Sequence, residues 1–129
     1  MSDNREKGLI GEDAVCEELL KRGHRIIARN YRKRTGEIDV ISEADGFIIF
    51  TEVKARKLGC LVSGLEAVNF TKKKKIVLTA DTYLTENPTN LQPRYDIAEV
   101  TLTRGNNARV LSIDICEDAF DTEGIYTIN

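Results

Sequence analysis

One β-hairpin constrains the fold of this chain more than any other feature of its sequence. Residues 36–54 read GEIDVISEADGFIIFTEVK, in which two runs rich in Ile, Val and Phe flank Asp45-Gly46. An Asp-Gly pair between two such runs predicts a two-residue turn joining antiparallel strands. We therefore predict that residues 37–44 and 47–54 form the two strands of this hairpin.

The register of the hairpin would bring three charged side chains together on one face of the sheet. With this turn, Ala44 pairs with Phe47, and counting back along both strands places Asp39 opposite Glu52. Lys54 shares that face because alternate residues of a strand point to the same side. A three-residue loop would break the register, whereas a four-residue loop centred on the same pair would keep it.

Two carboxylates held about 5 Å apart repel each other by a few kcal/mol at an effective dielectric constant of about 20. Protonation of one carboxyl group would relieve the repulsion, and so would a divalent cation between them. A hard cation such as Mg²⁺ prefers oxygen ligands and keeps several waters, which suits two carboxylates and a backbone carbonyl. The pair Asp39 and Glu52 therefore predicts a cation site, with Lys54 beside it.

The first predicted helix, over residues 5–22, adds a third acid. Glu12 falls inside its apolar stripe, at helical spacing from Val15, Cys16 and Leu19. A carboxylate on a core-facing stripe needs a partner, so we expect Glu12 to approach the hairpin acids. The competing interpretation is a cross-strand salt bridge in the hairpin with a glutamate that reaches solvent at the helix edge.

The remaining elements complete an α/β pattern. A second helix is predicted from about residue 64 to residue 86, with Ser63 and Glu66 as its capping box, although Asn69 could instead cap a second, longer piece. The other predicted segments are strands over residues 24–32, 94–103 and 108–115 and a loop over 57–63. The order α-β-β-β-α-β-β predicts a mixed β-sheet flanked by helices, in one domain spanning residues 1–129.

Charge and cysteine usage restrict the class of partner and compartment. Residues 21–75 hold 14 Lys and Arg against 6 Asp and Glu, whereas the flanking residues 1–20 and 76–129 are net acidic. A basic central region predicts a face that meets a polyanion such as nucleic acid.

The three cysteines, Cys16, Cys60 and Cys116, match no disulfide or zinc spacing, so a reducing cytoplasm is expected. No apolar run is long enough to span a membrane, and the first residues do not resemble a secretory signal.

The spacing D-x₁₂-E-x-K, carried by Asp39, Glu52 and Lys54, resembles the PD-(D/E)xK nuclease superfamily of restriction endonucleases and archaeal Holliday-junction resolvases. Over residues 8–120 the chain is similar to a small bacterial family called YraN, which is itself resolvase-like. The matching stretches are GLIGEDAVCEELLKRGHRIIARNYR, GEIDVI, FTEVKAR and RYDIAEV, together with Lys72. One departure is Ile38, which stands where the superfamily often has a proline.

The resemblance implies a restriction-endonuclease-like sandwich and assigns roles to individual residues. Asp39 and Glu52 would be ligands of Mg²⁺ or Mn²⁺, with the Val53 carbonyl completing the site and Glu12 as an accessory ligand. Lys54 would position or activate the attacking water and stabilise the charge that develops on the phosphate. The implied reaction is metal-assisted hydrolysis of a phosphodiester bond.

The implied substrate is a nucleic acid, with DNA expected and branched or damaged DNA among the candidates. Resolvases cut two symmetric strands as dimers, so a homodimer is compatible with this interpretation. The candidate phosphate-binding residues are Lys33, Arg34, Arg56, Lys57 and Lys72. Two rival interpretations are a non-catalytic nucleic-acid-binding module with the same fold and a protein-interaction domain whose charge clusters are structural.

Overall fold

The computed structural model describes residues 3–59 and 68–126. Two helices and five strands lie in these ranges, and their order along the chain is the predicted α-β-β-β-α-β-β. Their bounds are α1 (Asp3–Lys21), β1 (Arg25–Lys33), β2 (Gly36–Ala44), β3 (Phe47–Lys57), α2 (Phe70–Glu86), β4 (Gln92–Leu102) and β5 (Val110–Phe120). Neither helix in the described ranges combines the length and apolarity that crossing a membrane requires.

The five strands form one mixed sheet in the order β1-β2-β3-β4-β5. Strands β3 and β4 are parallel, and every other neighbouring pair is antiparallel. Helix α2 connects the two parallel strands, as such a crossover requires. The predicted α/β class with a mixed sheet flanked by helices is therefore confirmed.

Each helix covers one face of the sheet with its own apolar core. On one face, Val15 and Leu19 of α1 pack with Val40, Val100 and the other members of one buried cluster. On the other face, the side chains of α2 pack against a larger cluster whose buried members include Ile38, Ile41, Phe50, Ile76, Val77, Ala80, Tyr83 and Tyr95. The central strands are thus covered on both faces, and two acids on them, Glu52 and Asp96, are buried.

The hairpin turn fixes the register as the sequence predicts. Asp45 and Gly46 have φ values of 52° and 87°, and positive φ at both central residues is the conformation that suits a two-residue hairpin. Ala44 pairs with Phe47, and the ladder continues in the predicted register through Val40 and Thr51. The next positions in line are Asp39 and Glu52.

Helix α1 approaches the sheet closely at Gly11. A Cβ atom added there would lie 2.9 Å from the Cβ of Ala55 on β3, which is closer than packed side chains allow. The glycine therefore lets the first half of α1 rest on β3, and this contact places the next residue, Glu12, near the hairpin.

Several predicted boundaries needed correction. Strand β3 continues to Lys57, which was expected to begin a loop, and a turn at Leu58 and Gly59 follows. Asn69 caps α2 by accepting a hydrogen bond from the backbone nitrogen of Lys72 at 3.0 Å, so one of the two predicted helix starts is confirmed. The alternative start at Ser63 and Glu66 lies outside the described residues.

Strand β5 extends five residues beyond the predicted end, to Phe120. Its pairing with β4 is irregular between Tyr95 and Ile97, where Asp118 has a φ of 53°. The backbone nitrogen of Asp118 donates a hydrogen bond to Oδ1 of Asp96 at 2.9 Å. This bulge lets the strand continue after the register shifts.

A buried ion pair holds the same region together. Asp96 is 1 % exposed, and Arg94 donates to its two carboxylate oxygens at 2.9 and 2.8 Å. The guanidinium group also donates to Glu117 at 2.9 Å and lies over the ring of Phe47 at 4.9 Å. Arg94 and Asp96 therefore have a structural role at the junction of β3, β4 and β5.

Candidate functional site

Asp39 and Glu52 meet where the pairing of β2 and β3 stops. The Oδ2 atom of Asp39 accepts a hydrogen bond from the backbone nitrogen of Val53 at 2.8 Å. Glu52 is buried, with 5 % of the residue exposed. The hairpin thus brings two carboxyl groups together in surroundings where an isolated charge is costly.

Two lysines from different elements lie against Glu52. The Nζ atoms of Lys54 and Lys72 are each 3.3 Å from its Oε1 atom. Lys54 comes from the same strand, whereas Lys72 comes from the first turn of α2 and its side chain is 43 % exposed. The ammonium groups offset the charge of Glu52, and both can turn toward an anion that enters the site.

The pKa of the Asp39 carboxyl is raised from 3.8 to about 7. Burial is the largest cause, and the negative charge of Glu52 is the next; Glu12 and Glu37 add to the effect. The hydrogen bond from Val53 acts in the opposite direction because it favours the charged carboxylate. Asp39 therefore gains strongly from a proton or a cation, as the hairpin register suggests.

Glu12 lies within electrostatic reach of this pair, and burial raises its pKa. Asn30 and Arg29 act in the opposite direction. The Oε1 atom of Glu12 is buried without a hydrogen-bond partner in the structure, and it lies 3.7 Å from Nη2 of Arg29. Arg29 comes from β1 and also donates a hydrogen bond to Asp13. No pattern in the sequence indicates that it approaches Glu12.

A cavity of about 260 Å³ opens beside the two acids. The charged residues of its lining are Glu37, Asp39, Glu52, Lys72 and Lys75. Lys75, one helical turn after Lys72, also lines this cavity. Helical spacing could have found it, since residues three apart share a face.

The other predicted phosphate-binding residues are distributed around the site. Lys33 is held by Glu86 at 2.9 Å, and Arg34 is exposed in the turn between β1 and β2. Arg56 follows Lys54 on the same face of β3, and its buried Nε atom has no hydrogen-bond partner in the structure. Lys57 donates to the backbone oxygen of Gly105 at 3.1 Å, and it lines a different cavity. Lys72 is the one member of this set that contacts Glu52 among the described residues.

The donor set fits a hard divalent cation that shares its coordination sphere with water and substrate. In residues 3–59 and 68–126, no three His, Cys, Asp or Glu side chains converge as a complete ligand set. Magnesium is commonly bound by one or two carboxylates together with water and substrate phosphate oxygens. Asp39 and Glu52 satisfy that requirement, and the Oε1 atom of Glu12, which lies 3.7 Å from Arg29 and has no hydrogen-bond partner, is a further acceptor nearby.

Comparison with known proteins places the chain in a family. Residues 11–100 match the model of the "Uncharacterised protein family UPF0102". A UPF0102 protein of Clostridioides difficile is 42 % identical over 78 % of this chain and 89 % of the relative. A UPF0102 protein of Sulfurihydrogenibium sp. is 37 % identical over 94 % of this chain and 99 % of the relative. A third, of Acetivibrio thermocellus, is 37 % identical over 92 % of this chain and 94 % of the relative. The chain therefore belongs to the UPF0102 family, the YraN-type family.

Proposed function

We propose that this protein is a divalent-metal-dependent nuclease that hydrolyses phosphodiester bonds, with DNA as the expected substrate. One observation carries the proposal: the partly buried Asp39 and the buried Glu52 lie together beside a cavity, and two lysines lie against Glu52. A structural salt bridge needs one acid and one base. Two acids suit a site that binds a cation, and two ammonium groups that can move from Glu52 to another anion suit a site that binds a phosphate.

Asp39 and Glu52 would hold Mg²⁺ or Mn²⁺, with the Val53 carbonyl and Glu12 as additional oxygen ligands. The ion would act as a Lewis acid on the phosphate and lower the pKa of a bound water. The hydrogen bond from Val53 fixes the Asp39 carboxylate, so this ligand is oriented before the substrate arrives.

The two lysines would act on the substrate rather than on the ion. Ammonium groups donate hydrogen bonds and cannot be metal ligands. Lys54, 3.3 Å from Glu52, would position the attacking water and stabilise the negative charge that develops on the phosphate. Lys72 reaches the same carboxylate from α2 and would bind a non-bridging phosphate oxygen.

A cleavage panel tests the proposal. The purified protein is incubated with single-stranded, duplex, flapped and four-way DNA and with RNA, in Mn²⁺, in Mg²⁺ and in EDTA. Asp39→Asn keeps the shape of the side chain and removes its charge, and Asp114→Asn makes the same change at an exposed position of β5. We expect cleavage of at least one substrate by the parent and by Asp114→Asn, and loss of cleavage in Asp39→Asn and in EDTA.

Equal activity in the parent and in Asp39→Asn would assign the cleavage to a contaminant and remove the catalytic assignment. Salt-dependent binding without cleavage of any substrate would favour the non-catalytic nucleic-acid-binding module. Absence of both binding and cleavage would favour the protein-interaction domain, because a phosphate-binding face must lose affinity as salt rises.

A further inference from the structure

A second cavity, of about 380 Å³, is separate from the one beside Asp39 and Glu52. It lies between the first turns of α1, the end of β3 and the connection from β4 to β5. Its lining includes Lys7 from α1, Lys57 from β3, and Asn106 and Asn107 from the connection. We name it the α1–loop cavity. Of the candidate phosphate-binding residues named from the sequence, Lys57 lines it.

The chemistry of the α1–loop cavity suits an anion with several oxygen atoms. Two ammonium groups and two side-chain amides face one carboxylate, that of Glu6, so the lining has a net positive charge. Lys57 is oriented by its hydrogen bond to the backbone oxygen of Gly105 at 3.1 Å. Lysine ammonium groups and asparagine amides are common donors to phosphate oxygens.

The surroundings extend this positive charge. The connection between β4 and β5 reads TRGNNAR over residues 103–109 and contains two arginines and no acid. Arg104 and Arg109 are both exposed, and Nε of Arg104 donates to the backbone oxygen of Leu58 at 3.2 Å. A polyanion that reaches the cavity therefore meets cations on the connection as well.

The position of the cavity links it to the site on the other face of β3. Lys54 contacts Glu52, whereas Lys57 lies three residues further on and points to the α1 face, as Val53 and Ala55 do. Three residues of an extended strand advance about 10 Å along β3, and the two lysines lie on opposite faces of the sheet. A nucleic-acid chain bound at Lys54 would therefore have to pass the edge of the sheet to reach Lys57.

The ends of the strands give such a chain a path. The parallel strands β3 and β4 both finish at this edge, at Lys57 and Leu102, and ligands of open α/β sheets bind beyond the carboxyl ends of the strands. We infer that the α1–loop cavity binds a backbone phosphate of the nucleic acid whose scissile phosphate lies at Lys54. This inference rests on the proposed function and adds a substrate-binding subsite to it.

The test is the salt dependence of DNA binding, measured in EDTA so that the proposed reaction cannot proceed. Fluorescence anisotropy with a labelled duplex and a labelled single strand gives the Kd at several salt concentrations. The variants are Lys7→Gln and Lys57→Gln, and Lys21→Gln is the matched control because it makes the same change at the other end of α1. Thermal melting of each variant shows whether it is folded. If Lys57→Gln does not fold, Lys7→Gln still tests the inference, because Lys7 lies on the surface of α1.

Loss of one phosphate contact lowers the slope of log K against log salt by about 0.9 for duplex and about 0.7 for single-stranded DNA. We expect that reduction, with weaker binding at low salt, for Lys7→Gln and Lys57→Gln, and the parent slope for Lys21→Gln. Parent-like slopes for both cavity variants would overturn the inference. An additional titration measures the affinity for inorganic phosphate. If Lys7→Gln weakens the binding of inorganic phosphate and leaves DNA binding unchanged, the inference is also overturned.

The outcomes separate this inference from the proposed function. A parent protein that binds and cleaves DNA, with cavity variants that bind as the parent does, contradicts only the subsite. A parent protein that neither binds nor cleaves any polynucleotide contradicts the proposed function itself, and the subsite with it.

Discussion

The Oδ2 atom of Asp39 lies 2.8 Å from the backbone nitrogen of Val53 and accepts its hydrogen bond. Pairing of β2 with β3 ends one position earlier, at Val40 and Thr51, so a side chain takes over where the backbone ladder stops. Asp39 is therefore held beside Glu52 although the two carboxylates repel each other.

The pH dependence of stability in the absence of metal should reveal the repulsion. The pKa of Asp39 is raised in the folded state to about 7 from 3.8, so the folded protein binds this proton more tightly than the unfolded chain does. The contribution of Asp39 to stability is complete below pH 3.8 and is lost as the pH rises to about 7. Asparagine cannot titrate, so the stability difference between Asp39→Asn and the parent should grow in favour of the variant across this interval.

Urea unfolding of both proteins in EDTA, at a series of pH values across that interval, measures this difference. Because the other titrating groups are common to both proteins, their contributions cancel to first order. A difference that stays constant with pH would show that Asp39 does not titrate in this interval.

Lys54 should be required for cleavage and not for metal binding. Lys54→Ala removes the ammonium group that lies 3.3 Å from Glu52, and the loss of one such group commonly lowers the rate by about 10²- to 10³-fold. The carboxylates remain, so Mn²⁺ should still bind, as calorimetric titration can show. Loss of the ion together with the activity would instead mean that Lys54 holds the carboxylates in place.

Lys72 should compete with the metal ion for Glu52. Its ammonium group lies 3.3 Å from the same oxygen atom, and its partial exposure weakens the interaction through solvent screening. Lys72→Met should therefore tighten Mn²⁺ binding by about threefold or more, measured by calorimetry without substrate. Lys74→Met, an exposed position on the same helix, is the control and should bind Mn²⁺ as the parent does; equal affinities in all three proteins would exclude the competition.

Asp96 should matter for stability and not for metal binding. It is buried and receives two hydrogen bonds from Arg94 and one from the backbone of Asp118. Asp96→Ala leaves a guanidinium group that is largely buried without its main partner, which costs about 3 kcal/mol of unfolding free energy. Denaturant unfolding measures this loss, and calorimetry should find unchanged Mn²⁺ affinity; an unchanged unfolding free energy would contradict the structural role.

The hairpin was predictable because its information is local. Positive φ values at Asp45 and Gly46 are conformations that these two residue types tolerate, so the turn type and the register follow from the dipeptide. The observed pairs run as far as Val40 and Thr51, and Asp39 and Glu52 are the next residues along the two strands. The start of α2 at Asn69 is local for the same reason, because a side-chain cap acts within three residues of sequence.

The features that the sequence did not predict depend on contacts between segments that are distant along the chain. The pairing of Arg29 with Glu12 requires β1 to lie under α1, and no pattern in either segment indicates that approach. The extension of β5 depends on the bulge at Asp118, which is held by Asp96 from another strand. Local propensity carries no information about such partners, so β5 was predicted to end five residues too early.

The central claim is that Asp39 and Glu52 are held together, at a cost in stability, to receive a divalent cation. In EDTA at about pH 8, above the folded-state pKa of Asp39, Asp39→Asn removes one of two repelling charges and keeps the shape of the side chain. The metal-free variant should be more stable than the parent by about 1 kcal/mol or more, which corresponds to about 4 °C in Tm for a chain of this size.

The most direct measurement is thermal melting of the parent and of Asp39→Asn, each in EDTA and in excess Mn²⁺. An ion that binds only the folded state raises Tm by mass action, so Mn²⁺ should stabilise the parent and leave Asp39→Asn unchanged. Asp39→Asn should also melt above the parent in EDTA. If Asp39→Asn melts below the parent in EDTA and Mn²⁺ shifts neither protein, Asp39 and Glu52 belong to a structural hairpin salt bridge and the proposed nuclease site is wrong.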